Sequence, residues 1–141
     1  MNAKQFLSQS YRLAEQIESH KRELAELREM MPVISSSSFS DTPNSGSRIL
    51  EPSFAKMTVR IVDLERKVAQ EIDTLCDVKL KIHYAIEAVP DVSQRLLLRL
   101  KYIEGLSWQD VADRLHYSVK HAFKIHQEAL QKVVVPNDDT K

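Results

Sequence analysis

Val111-Ala112-Asp113-Arg114-Leu115-His116-Tyr117-Ser118-Val119-Lys120-His121-Ala122-Phe123-Lys124-Ile125 decides how this chain is read. Its apolar residues form two helical stripes, parted by a short break at His116-Tyr117. Val111, Ala112 and Leu115 face inward on the first. Ala122 and Ile125 begin the second, which Ala129, Leu130 and Val133 continue. Ala112 is small where two helices must cross closely, and Leu115 and Ile125 are sized to fill the angle between them. Ser118 suits the N-cap of the second helix. His116 stands where such a turn favours glycine, because the backbone there often has φ > 0, a conformation histidine tolerates better than most residues. These features predict a helix-turn-helix.

The neighbouring residues extend the pattern. Ser107, with Asp110 three residues on, caps the helix that carries Trp108, and Gly105 sits where the preceding helix needs a left-handed residue to end. Leu96, Leu97, Leu98, Leu100, Tyr102 and Ile103 make that preceding helix strongly apolar, as for a helix buried under two others. Pro90 marks its boundary, and Asp91 with Gln94 reads as a capping box. Residues 90–135 therefore form a three-helix domain, and residues 136–141 a polar, fraying tail.

The rest of the chain is patterned differently. Phe6, Ser10, Leu13, Ile17, His20, Leu24, Leu27 and Met31 alternate steps of four and three, a heptad seam. A second seam runs through Phe54, Met57, Ile61, Leu64, Val68, Glu71, Leu75, Val78, Ile82, Ala85 and Val89. Ser10 and His20 are the polar positions of the first seam and Glu71 that of the second; His20 and Glu71 read as register-setting residues. Pro32 predicts the end of the first helix, and the serine-rich stretch 32–52 a flexible loop. The fold class is thus all-α: an antiparallel helical hairpin over residues 1–89, then the helix-turn-helix domain. Val59, Val62, Ile72 and Ile86 lie off the seam, which points to a homodimer through residues 2–31 and 53–89. Cys76 follows seam residue Leu75 and is expected to be half-buried.

Composition narrows the function. Two glycines in 141 residues argue against hairpin-rich β structure. Net charge is zero, which argues against a tail that coats nucleic acid by bulk charge. Val89–Val133 nevertheless carries seven Lys or Arg against five Asp or Glu, 7 − 5 = +2, leaving −2 elsewhere. His116, His121 and His126 can add charge there as pH falls. One cysteine allows no internal disulfide. The absence of a long apolar run or an apolar leader points to a cytoplasmic protein away from membranes. No Ser, His and Asp constellation, metal-ligand spacing or glycine-rich phosphate loop occurs, so no enzyme activity, cofactor or metal is expected. Histidines five residues apart do not align on one helical face.

The exposed side of the last helix carries the chemistry. Lys120 and Lys124 can donate to guanine O6 and N7, and Gln127 can pair with adenine. His121 lies beside them. Ser118 places the positive end of the helix toward a phosphate. Arg114, Tyr117 and His126 are placed for further phosphate contacts. Double-stranded DNA is the expected partner.

Tyr102-Ile103-Glu104-Gly105-Leu106-Ser107-Trp108-Gln109-Asp110-Val111-Ala112 resembles region 4 of bacterial sigma-70-type factors. The resemblance continues through Tyr117-Ser118, Ala122, Ile125, His126 and Glu128-Ala129-Leu130. The layout of the chain, with Arg48 and Ile61-Val62-Asp63-Leu64-Glu65, is similar to small phage and prophage proteins of Gram-positive bacteria. Those are related in outline to late-gene activators of the RinA and ArpU type. The resemblance implies a phage-encoded transcriptional regulator in a bacterial host cytoplasm, with Lys120, His121 and Lys124 at base-reading positions. Lys120 stands where region 4 often has an acid, so promoter specificity does not carry over. Two other functions fit the same layout. One is an adaptor that contacts host RNA polymerase or another protein through this fold. The other is a packaging protein resembling small terminase subunits.

Overall fold

The computed structural model describes residues 1–37 and 46–137. In chain order its elements are α1 (Ala3–Leu7), α2 (Gln9–Ser37), α3 (Gly46–Glu87), α4 (Val92–Leu98), a π-helical turn (Arg99–Ile103), α5 (Trp108–Leu115) and α6 (Val119–Lys132). All are helical, with no strand among the described residues. Packing groups them into two compact units, Leu13–Thr74 and Met1–Arg12 with Leu75–Lys141. The composition boundary at Pro90 falls inside the second unit.

Within Leu13–Thr74 the heptad positions carry the burial. Ile17, Leu24, Leu64 and Val68 are buried. Leu13, Leu27, Met31, Met57 and Ile61 are half-buried, and Phe54 is exposed. The two polar seam residues find each other: His20 Nδ1 lies 2.7 Å from Glu71 Oε1. Their side chains are only 19% and 12% exposed. A buried carboxylate needs such a partner to offset lost hydration. Glu71 Oε2 remains buried with no hydrogen-bond partner. Arg28 reaches Glu65 at 2.9 Å and Arg60 reaches Glu23 at 2.7 Å, both outside the apolar seam. Such exposed pairs contribute roughly 0–1 kcal/mol, so the apolar residues dominate.

Of the segment 32–52, expected as a loop, residues 32–37 and 46–52 are helical. α2 continues through Pro32 to Ser37, and α3 starts at Gly46, ahead of Pro52. Each proline removes one backbone donor. Both lie near the end of a long helix, whose other bonds hold the run together. Residues 38–45, with much of the serine-rich stretch, lie outside the described residues, as do 138–141 of the expected tail.

In the other unit the first helix also departs from a single run over residues 2–31. Asn2 and Gln5 form a capping box, Gln5 N donating to Asn2 Oδ1 at 2.8 Å and Asn2 N to Gln5 Oε1 at 3.0 Å. The helix so started stops at Ser8, and α2 begins at Gln9. Phe6 and Leu7 are adjacent yet both buried, packed with Ile82, Ile86, Val89, Leu98, Ala129 and Val133. A narrow seam would bury only one of two neighbours; α1 is enclosed on a wider front. Ile86 therefore belongs to this core and is not spare surface. Cys76, expected to be half-buried, is exposed.

A second cluster holds Leu97, Leu100, Val111, Ala112 and Ala122. Asp91 caps α4 through Gln94 N at 2.9 Å. The return bond of the expected capping box is not formed, and Gln94 Oε1 is buried without a partner. Leu96 and Ile103, expected inside, are exposed. The π turn accounts for part of this: Glu104 N bonds Arg99 O five residues back at 2.9 Å, a wider turn than the α-helical one.

Leu64 is completely buried while Lys67 on the same helix is exposed. Leu64→Ala should cost about 2–5 kcal/mol, and Lys67→Ala should stay within about 0.5 kcal/mol. Urea unfolding followed by circular dichroism measures both; equal effects would show that this seam does not carry the unit.

Candidate functional site

The site is assembled by two turns and two caps. Gly105, at φ 73°, ends the π turn. Lys101 Nζ then ties the loop by donating to Leu106 O at 3.1 Å. Ser107 Oγ accepts from Asp110 N at 3.2 Å and starts α5. α5 closes at His116, in the left-handed conformation at φ 58° and ψ 39°. Tyr117 N bonds Ala112 O at 2.9 Å and His116 N bonds Asp113 O at 3.3 Å. This pair of bonds is the Schellman closure, which satisfies carbonyls the helix end leaves open. Ser118 Oγ accepts from His121 N at 3.1 Å, starting α6 two residues after the turn.

With the turn so fixed, α6 buries Ala122, His126 and Ala129. At about 100° per residue, Lys120, Lys124 and Gln127 share the opposite line. All three are exposed. Among the described residues, neither Lys120 nor Lys124 forms an ion pair. His121 is also exposed and packs edge-on against Tyr117, ring centroids 4.6 Å apart. The residue expected to read bases and the one expected to hold phosphate thus form one unit. Ser118 engages His121 N, leaving its cap at the mouth of the helix. Arg114 is exposed, with Nη1 4.0 Å from Glu104 Oε1. At that length the pair is loose, and the guanidinium keeps most of its donors.

One expected phosphate ligand is withdrawn. His126 is 3% exposed, with Nε2 2.6 Å from the Tyr102 hydroxyl. Its ring also packs edge-on against Trp108 at 4.7 Å. Burial, with repulsion from Lys4 and Lys101, lowers its pKa to about 4. Burial also raises Tyr102 to about 12, so its O–H stays protonated and donates to the neutral imidazole. His126 adds no positive charge as pH falls toward 5, and it serves the core. Its place at one side of the inner stripe, next to Ile125, is visible in the sequence; that a tyrosine hydroxyl comes to meet it is not.

Phe123 has no role in the sequence pattern, yet it is 45% exposed on the flank of α6. Its ring meets Trp108 at 4.8 Å, and Lys101 Nζ lies 4.9 Å from the Trp108 ring. This aromatic step borders the basic line. Among the described residues, no three His, Cys, Asp or Glu gather as a metal site. Among the described residues, no helix is long and apolar enough to cross a membrane. Comparison with protein-family models, curated proteins and solved structures gave no match.

Two outcomes follow from this geometry. A depressed histidine pKa favours the fold only while the ring is neutral. Below the unfolded value near 6.5 the unfolded chain takes up the proton first, so stability falls from there down to about pH 4. The slope reaches about 1.4 kcal/mol per pH unit. His126→Gln, which keeps a partner for Tyr102, should flatten this part of a urea-midpoint profile between pH 7 and 4. An unchanged slope would assign the loss to other groups. His116→Gly should raise the unfolding free energy by up to about 1 kcal/mol, and with it the urea midpoint, because a left-handed residue with a Cβ is strained. A lower midpoint would remove the strain from this turn.

Proposed function

We propose that this chain is a sequence-specific double-stranded DNA-binding regulator of transcription. In this reading residues 90–135 are a helix-turn-helix, α6 lies in the major groove, and α2 and α3 form a helical hairpin that pairs two copies. The observation that carries it is the line Lys120, Lys124 and Gln127: exposed, free of ion pairs, and opposite the buried Ala122, His126 and Ala129. An exposed lysine with no acidic partner keeps its charge available for phosphate or base edges. The first turn of such a helix reaches bases in the major groove. Backbone N–H groups at its capped start, with Arg114 and the Tyr117–His121 pair, supply phosphate contacts that set orientation.

The resemblance to region 4 of sigma-70-type factors and to small phage regulators supports the same reading, with a bacterial host as its setting. Specific affinity then rests on a few side chains, in keeping with the zero net charge of the chain.

The test separates base contacts from phosphate contacts. DNA fragments selected from a random pool by the purified protein serve as ligand, titrated at several salt concentrations. Lys120→Ala should weaken binding by about 1–3 kcal/mol and relax specificity at one base pair. Arg114→Ala should weaken all sequences alike and lower the salt slope by about one unit. Both should melt as the parent does, being exposed. If the combined Lys120, Lys124 and Gln127 alanine variant binds its DNA as tightly as the parent, α6 is not the reader.

A further inference from the structure

α3 carries a second heptad pattern on its other side. Ala55, Val59, Val62, Arg66, Ala69 and Asp73 are spaced 4, 3, 4, 3 and 4. All six lie in the unit Leu13–Thr74, and all six are exposed. Val59 and Val62 stand out at 59% and 43%. The inner seam of the same helix runs through Ile61, Leu64, Val68 and Glu71. At about 100° per residue, Arg66 and Val68 point some 200° apart. Ile61 and Val68 are occupied within the chain, so the outer pattern, not the inner one, is available to a partner.

We propose that this outer face binds the same face of a second copy, with the two α3 helices antiparallel. The charges on the stripe select both partner and direction. Arg66 and Asp73 are two helical turns apart, roughly 10 Å along the axis, so they share a face without reaching each other. Among the described residues, neither forms an ion pair. In a parallel pair Arg66 would meet Arg66 and Asp73 would meet Asp73, and like charges would face across the interface. In an antiparallel pair with its twofold axis near Ala69, each Arg66 comes within reach of Asp73 of the other copy. One twofold axis then makes two opposite-charge pairs from a single sequence, the self-complementarity that a closed dimer requires. Polar residues at core positions of paired helices specify orientation in this way. Ala69 is small at the crossing, which lets the backbones approach, and Val62 and Val59 of each copy fall opposite the exposed Cys76 and Leu80 of α3 in the other.

This inference deepens the homodimer of the proposed function and is independent of DNA binding. Its test uses the full chain carrying Cys76→Ser, with one new cysteine at a time. Ala69→Cys lies near the proposed axis and should form a disulfide-linked dimer under mild oxidation. Val59→Cys should not, because its two copies lie roughly 30 Å apart in this arrangement. Crosslinking of both variants would mean a parallel pair and would overturn the proposal. Arg66→Asp should weaken the dimer on the order of tenfold in sedimentation equilibrium, and the double variant Arg66→Asp with Asp73→Arg should restore it. Circular dichroism confirms that each variant keeps the parent helix content. A parent that sediments as a monomer at tens of micromolar removes the dimer altogether, without bearing on whether α6 reads DNA.

Discussion

The turn at His116 is the constraint on which the exposed basic line of α6 depends. Two backbone bonds, Tyr117 N to Ala112 O and His116 N to Asp113 O, close α5 while His116 takes up a left-handed conformation. Two residues later Ser118 caps α6, so the direction of that helix is set with almost no free chain between. Ala112 and Ala122 lie in one cluster with Leu97, Leu100 and Val111, where small side chains permit a close crossing. Once Ala122, His126 and Ala129 must face inward, helical periodicity leaves Lys120, Lys124 and Gln127 outside. A residue inserted in the turn would rotate the basic line as surely as a substitution would remove it.

Histidines in this chain take different parts because their surroundings differ. His116 supplies backbone tolerance, His121 packs on Tyr117 at the surface, and His126 is buried against Tyr102 and Trp108. His20 meets Glu71 in the helical seam. Only burial depth and partner distinguish these roles; the residue type alone does not. The same holds for the apolar residues of α3. Leu64 and Val68 are enclosed within their unit, while Val59 and Val62 on the other side of the helix remain open.

Much of this was legible in the sequence, because it rests on interactions short in sequence. Heptad spacing identified the helices and their inner faces, since a 3.6-residue period puts positions three and four apart side by side. Ser107, Ser118 and Asp91 announced helix starts, because a cap bond spans three residues. Gly105 and His116 marked the left-handed positions through their own backbone preferences. The exposed line of α6 followed from the inner stripe that it opposes.

Tertiary structure decided what depends on residues far apart in the chain. His126 looked like a surface cation until Tyr102 and Trp108, held near it by other helices, removed it from water. Leu7 and Ile86 fell outside the seams yet are buried, because a cluster drawn from α1, α3, α4 and α6 encloses them. His20 and Glu71 were each recognisable as polar exceptions, but not as partners 51 residues apart. Local pattern reports a helix and its preferred face; which group meets that face is fixed by packing of the whole unit, where burial and charge compensation act between segments that no short window contains.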